Sequence, residues 1–112
     1  MSCIFCKIVA GEIPARKIFE DEQVLAFHDL EAQAPTHFLI VPKQHIESLA
    51  ETKAEHEPLL GHLIAVGARI AAKQNLAGGY RTVINTGSEG GQSVGHLHLH
   101  VLGGRKMTWP PG

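Results

Sequence analysis

The sequence is short of most features that would mark a specialised class. It holds two cysteines, one tryptophan and one tyrosine in 112 residues. Two thiols so few and so close are poor material for a disulfide framework and better material for a metal site or a redox pair. No stretch approaches the ~18 consecutive apolar residues of a membrane span. The opening "MSCIFCKIVAGEIPARK" has no basic segment leading into a long apolar one. An excess of one charge is missing as well: 10 basic and 11 acidic side chains leave a formal net charge of -1, with no run of like charge. That balance argues against nucleic acid or a membrane surface as the main partner. Internal repeats, low-complexity tracts and linkers are absent too. A soluble, cytoplasmic protein is expected, folded as a single domain over residues 1–112 and long enough for one real core.

What the chain does have is local pattern. "KIFEDEQVLAFHD" (17–29) reads as two short strands around a polar turn at Glu20 to Gln23. "HFLIVP" (37–42) is a third strand, entered through Ala34-Pro35 and stopped by Pro42. Apolar residues at Leu59, Leu60, Leu63, Ile64, Val66, Ala68, Ile70 and Ala71 recur at helical spacing and predict one long helix from about Pro58 to Gln74. A shorter helix is expected over Ser48 to Ala54, with Ser48 at its cap. "GYRTVINT" (79–86) and "GHLHLHVLGG" (95–104) read as strands four and five, joined by the loop "GSEGGQSV". Hairpins beside a separate helix give an α+β class with a largely antiparallel sheet.

The fifth strand alternates His96, His98 and His100 with Leu97, Leu99 and Val101. In an extended segment the imidazoles would line one face at about 6.6 to 6.8 Å intervals, with the core behind them. Such a face can be a solvated surface, a three-histidine catalytic zinc site, or the seat of an imidazole nucleophile toward phosphorus. The loop before it bends at Gly87, Gly90 and Gly91, whose amides can form an anion nest, while Gln92 and Ser93 supply side-chain donors. A plain polar hairpin turn is the alternative for that loop. Cys3 and Cys6 have the spacing of a zinc knuckle and need two further ligands. His28, His56 and His62 are expected on solvated faces.

"HLHLHV" resembles the His-x-His-x-His-x-x signature of the histidine triad (HIT) family, where x is apolar. "AFHDLEAQAPTHFLIVPKQHI", "NTGSEGGQSVGHLHLHVLGGR" and the terminal "WPPG" resemble its nucleotide-binding, phosphoramidase branch, so the likeness runs from Cys3 to Gly112. The resemblance implies the HIT fold, a five-stranded antiparallel sheet with one long and one short helix, continued across a homodimer with the long helix at the interface. It implies a hydrolase that cleaves purine nucleoside phosphoramidates through a nucleotidyl-histidine, with AMP or GMP as the product class and no catalytic cofactor. His98 would be the nucleophile, with its other ring nitrogen held by a backbone carbonyl; His100, His37 and Ser93 would complete the catalytic set, with amides after Gly91 stabilising charge. Asp29 would take the ribose hydroxyls, and Ile4, Phe5, Ile8, Ile13, Phe27, Leu30 and Leu39 would wall the base pocket. Asn85, Gly91 and Gln92 would lie near the ribose and phosphate, and Trp109 would reach toward the partner's site. In relatives with a Cys-x-x-Cys start, the set Cys3, Cys6, His45 and His96 corresponds to a structural zinc site. Gly95 departs from the pattern, because some relatives carry tyrosine there, and leaving-group contacts are altered accordingly. Two other activities fit the same likeness: a dinucleoside polyphosphate hydrolase or nucleotidyl transferase, and a nucleotide-binding scaffold with little turnover.

Overall fold

The computed structural model describes residues 3–112. Five antiparallel strands, β1 (Lys17–Glu20), β2 (Val24–His28), β3 (Thr36–Pro42), β4 (Tyr80–Val83) and β5 (Leu99–Gly103), form one sheet in the order β1-β2-β3-β5-β4. Two helices flank it, α1 (Ile4–Val9) and α2 (Glu57–Lys73). Among the described residues no helix is long and apolar enough to cross a membrane.

The β1–β2 turn falls where the polar residues place it. Asp21 Oδ1 accepts from the Gln23 and Val24 amides, each at 2.8 Å, which is how a short carboxylate replaces backbone partners in a tight turn. β2 and β3 are buried along almost their whole length because both faces of the sheet are covered. On one face α2 packs Leu59, Leu63, Val66 and Ile70 against Ala26, Phe38, Ile40, Leu99 and Val101. Each such large side chain, fully buried, contributes roughly 1.5–3 kcal/mol. Gly67 lets α2 sit close: a Cβ there would lie 3.1 Å from Ile40 Cδ1 and 3.3 Å from Leu99 Cδ2. On the opposite face Leu25, Phe27, Leu39 and Val41 are covered by Phe5 and Ile8 of α1.

Two expectations are corrected here. The short helix is not at Ser48 to Ala54, which instead makes two single 3-10 turns, Leu49–Glu51 and Ala54–His56; Ser48 does cap the first, accepting from the Ala50 amide at 3.2 Å. The short helix is α1, within "CIFCKIV". Cys3 caps it through Sγ, and Gly11 (φ 79) closes it with the paired bonds Glu12 N–H to Lys7 O (2.8 Å) and Gly11 N–H to Ile8 O (3.1 Å). Lastly, β5 begins at Leu99, so His96 and His98 precede the ladder; there the chain is fixed instead by the Leu97 amide on the Ile46 carbonyl, 2.7 Å.

Candidate active site and metal centre

The alternation of histidine and apolar residue survives the shortened ladder. Leu97, Leu99 and Val101 join the core under α2, and the three imidazoles turn the other way, into protein rather than solvent: His96 is 0% exposed and His98 3%. Each ring is then fixed by a different partner. His98 Nδ1 lies 2.7 Å from the His96 carbonyl. A carbonyl only accepts, so Nδ1 carries the hydrogen and Nε2 keeps its lone pair. This is the backbone carbonyl expected for the second nitrogen of that ring.

His37 and His100 form a relay. The Gln33 amide donates to His37 Nδ1 at 3.0 Å, so His37 holds its hydrogen on Nε2. That hydrogen is directed to His100 Nδ1 at 2.9 Å, with Asp29 Oδ2 3.4 Å from the same nitrogen. His100 therefore presents Nε2–H. Burial, reinforced by His98 and His37, lowers the His100 pKa to about 4, so the ring is a neutral donor at pH 7. Burial also lowers the His37 pKa, against the opposing pull of Asp29.

These rings border a cavity of about 250 Å³. Of the expected contacts, Ile4, Phe5, Ile8, Ile13, Phe27, Asp29, Leu30, Leu39, Ser93, His98 and His100 line it. His37 stands behind His100. Asn85, Gly91, Gln92 and Trp109 lie off its wall. The Asn85 and Gln92 side chains are engaged elsewhere: Asn85 Nδ2–H donates to the Gly90 carbonyl (2.7 Å), and the Gln92 amide group is divided among Gly87 N, Glu47 O and Val94 O at 2.8–2.9 Å. The glycine turn is no open anion nest either, because the Gly90, Gly91 and Gln92 amides bond to carbonyls within it. Its glycines serve geometry: Gly87 and Gly91 have positive φ, and a Cβ on Gly90 would strike the Thr86 carbonyl. Arg16, His28 and Val94 also line the cavity, with no signal in the sequence beyond their neighbours. His28 thus belongs to the cavity rather than to a solvated face, and His62 bonds Asp21 Oδ2 at 2.7 Å. His56 is half-buried and accepts the Lys53 amide on Nδ1, 2.9 Å.

The second cluster joins Cys3, Cys6, His45 and His96, whose donor atoms all lie within 4.8 Å of one another. His96 Nδ1 is 3.4 Å from Cys3 Sγ and 3.6 Å from Cys6 Sγ, and His45 Nδ1 is 3.2 Å from Cys6 Sγ. Tetrahedral zinc, with Zn–S about 2.3 Å and Zn–N about 2.0–2.1 Å, sets such S···N separations near 3.5 Å. His96 Nε2–H donates to the Pro42 carbonyl at 2.8 Å, leaving Nδ1 free to ligate, and Glu47 Oε2 lies 3.7 Å from His45 Nε2. Burial and the neighbouring Cys3 raise the Cys6 pKa. The donor set fits zinc. Phe5 ties the clusters together, edge-on to His96 at 5.9 Å and to His98 at 5.1 Å.

Buried imidazoles on the approach to one strand, a four-donor centre and an α+β sheet define a histidine triad protein. The family model described as scavenger mRNA decapping enzyme C-term binding matches residues 2–109. An uncharacterised HIT-like protein of Synechococcus elongatus is 57% identical over 109 residues, 97% of this chain and 96% of that protein. A 14 kDa zinc-binding protein of Zea mays is 50% identical over 111 residues, 97% of this chain and 87% of that one. Among solved structures, a HIT family hydrolase from Legionella pneumophila superposes with a TM-score of 0.97 at 50% identity, covering 99% of this chain and 100% of that one. A zinc-bound histidine triad family protein from Mycobacterium smegmatis gives 0.83 at 39% identity, covering 97% and 81%. The chain belongs to the HIT family and has the fold of its hydrolases.

Proposed function

We propose that the protein is a hydrolase of purine nucleoside phosphoramidates, cleaving the P–N bond to release a nucleoside monophosphate through a covalent intermediate on His98. The observation that carries this reading is the His98 Nε2 lone pair, left free beside the cavity by the bond that occupies Nδ1. Neutral imidazole is a nucleophile near pH 7. Its attack forms an Nε2–P bond as the P–N bond breaks, and the departing nitrogen takes a proton from solvent and leaves as the free amine, the proton being returned when water adds to phosphorus in the second step. In this reading the neutral His100 Nε2–H, the Ser93 hydroxyl and the amides of Ser93 and Val94, all from residues that line the cavity, serve the phosphate oxygens and the departing group. Water then breaks the Nε2–P bond and restores the ring. The nucleoside is held on the other side, its base between Phe5, Ile8, Ile13 and Phe27 and its ribose on Asp29, whose Oδ1 is steadied by the Glu31 amide at 2.8 Å. AMP and GMP are the expected products.

Zinc, held by Cys3, Cys6, His45 and His96, supplies a structural cross-link and no chemistry at phosphorus. In this reading the protein is cytoplasmic and works as a homodimer joined along the open β4 edge and α2.

A steady-state comparison of an adenosine phosphoramidate with a diadenosine polyphosphate, with acid quench to trap the nucleotidyl adduct, tests the proposal. The phosphoramidate should be the faster substrate. His98→Ala should lower turnover by roughly a thousandfold while AMP binding, followed by calorimetry, stays within about threefold. A fully active His98→Ala variant removes the assignment, and faster polyphosphate cleavage transfers it to that substrate class.

A further inference from the structure

The two imidazoles of the metal centre are held in different ways. His96 is 0% exposed and its Nε2–H is anchored on the Pro42 carbonyl, which keeps Nδ1 turned to the thiols. His45 is the exposed donor of the four. To ligate through Nδ1, which lies 3.2 Å from Cys6 Sγ, its ring must carry the hydrogen on Nε2. Among the described residues the one carboxylate within 4 Å of that nitrogen is Glu47, with Oε2 at 3.7 Å. The backbone between them is pinned: the Ile46 carbonyl accepts the Leu97 amide at 2.7 Å, and the Glu47 carbonyl accepts Gln92 Nε2–H at 2.8 Å.

A missing side chain decides where that carboxylate can sit. A Cβ on Gly95 would lie 2.8 Å from Glu47 Oε1 and 3.3 Å from its carboxyl carbon. The backbone there does not call for glycine: the His96 amide returns to the Val94 carbonyl at 2.8 Å and φ at Gly95 is not positive, a tight turn open to other residues. What glycine supplies is room. Because the obstructed atoms are the free end of a flexible side chain, an added methyl would displace the carboxylate rather than the backbone.

We propose that Glu47 is a positioning residue of the metal centre: seated in the space that Gly95 leaves, its carboxylate draws the His45 Nε2–H and keeps Nδ1 turned toward the metal. The role rests on the zinc fit above and not on the phosphoramidase reading. A carboxylate behind a ligating imidazole fixes the tautomer and raises the basicity of the ring. Without it, His45 would turn in solvent and leave the centre to the other donors.

Competition with a chromogenic chelator, on the zinc-reconstituted full chain, reads the affinity. Glu47→Ala should weaken it about tenfold, the low end for such a partner because the Glu47 side chain is 61% exposed. Glu47→Gln, whose amide oxygen can accept the same hydrogen, should keep part of it. Gly95→Ala should weaken zinc binding in the parent and have no effect once Glu47 is alanine. The urea midpoint of metal-free protein should be the same in parent and Glu47→Ala, which separates ligand positioning from a general structural role. Parent-like zinc affinity in Glu47→Ala overturns the proposal, as does a Gly95→Ala loss that persists in the double variant. A parent chain that binds no zinc removes the metal centre and this role with it.

Discussion

His100 sits between two other imidazoles, and its protonation couples the site to the stability of the whole chain. Burial is the main reason that its pKa falls to about 4, with His98 and His37 adding to the effect. Unfolded, the same ring titrates near 6.5, so between about pH 6.5 and 4 the unfolded state binds a proton that the folded state refuses. Stability should be flat above that window and fall through it on acidification, by about 3 kcal/mol from this ring. His37 and His28 act in the same direction, each chiefly through burial. Urea titrations between pH 7.5 and 4 check this: the midpoint should drop with pH, and His100→Gln should flatten the slope. An equal slope in parent and variant would remove His100 as the cause.

At the scale of elements, α2 depends on the absence of one side chain. A Cβ at Gly67 already meets Ile40, Leu99 and Val101 at 3.1–3.4 Å, so a branched residue must push the helix off β3 and β5. Gly67→Val should cost about 2 kcal/mol, read as a lower denaturation midpoint at constant m-value. α2 was legible in the sequence because 17 residues carry one apolar stripe past several turns. α1 was not, because six residues give too little periodicity to separate a helix from a loop. Its boundaries come from a thiol cap and a glycine closure whose meaning depends on what the helix lies against. The Ser48 stretch misled in the opposite way: its cap is real, but with no buried face behind it the turn does not propagate.

For the molecule as a whole, the metal centre draws together segments far apart in sequence: Cys6 meets His45 across 39 positions, and Cys3 meets His96 across 93. A ligand that binds only the folded state stabilises it by mass action. Protein purified without added metal should carry one zinc per chain by elemental emission, and stripping it with a strong chelator should lower the Tm by roughly 5 °C or more. Cys6→Ser should mimic the stripped protein; metal-free protein with an unchanged Tm would deny the centre any structural role. The alternating imidazoles of the active site could be read from local pattern, whereas the apolar walls came only with the family resemblance, since by composition alone most of them would be core residues. The Asp29–His37–His100 relay could not be read there, since it joins residues that only the sheet order makes neighbours. The same is true of α1, which with its N-cap Cys3 carries two of the four metal donors on one side and, through Phe5, a wall of the cavity on the other. A single fraying of those six residues would release the thiols and uncover the His98 ring together, so metal exchange and solvent entry share one door.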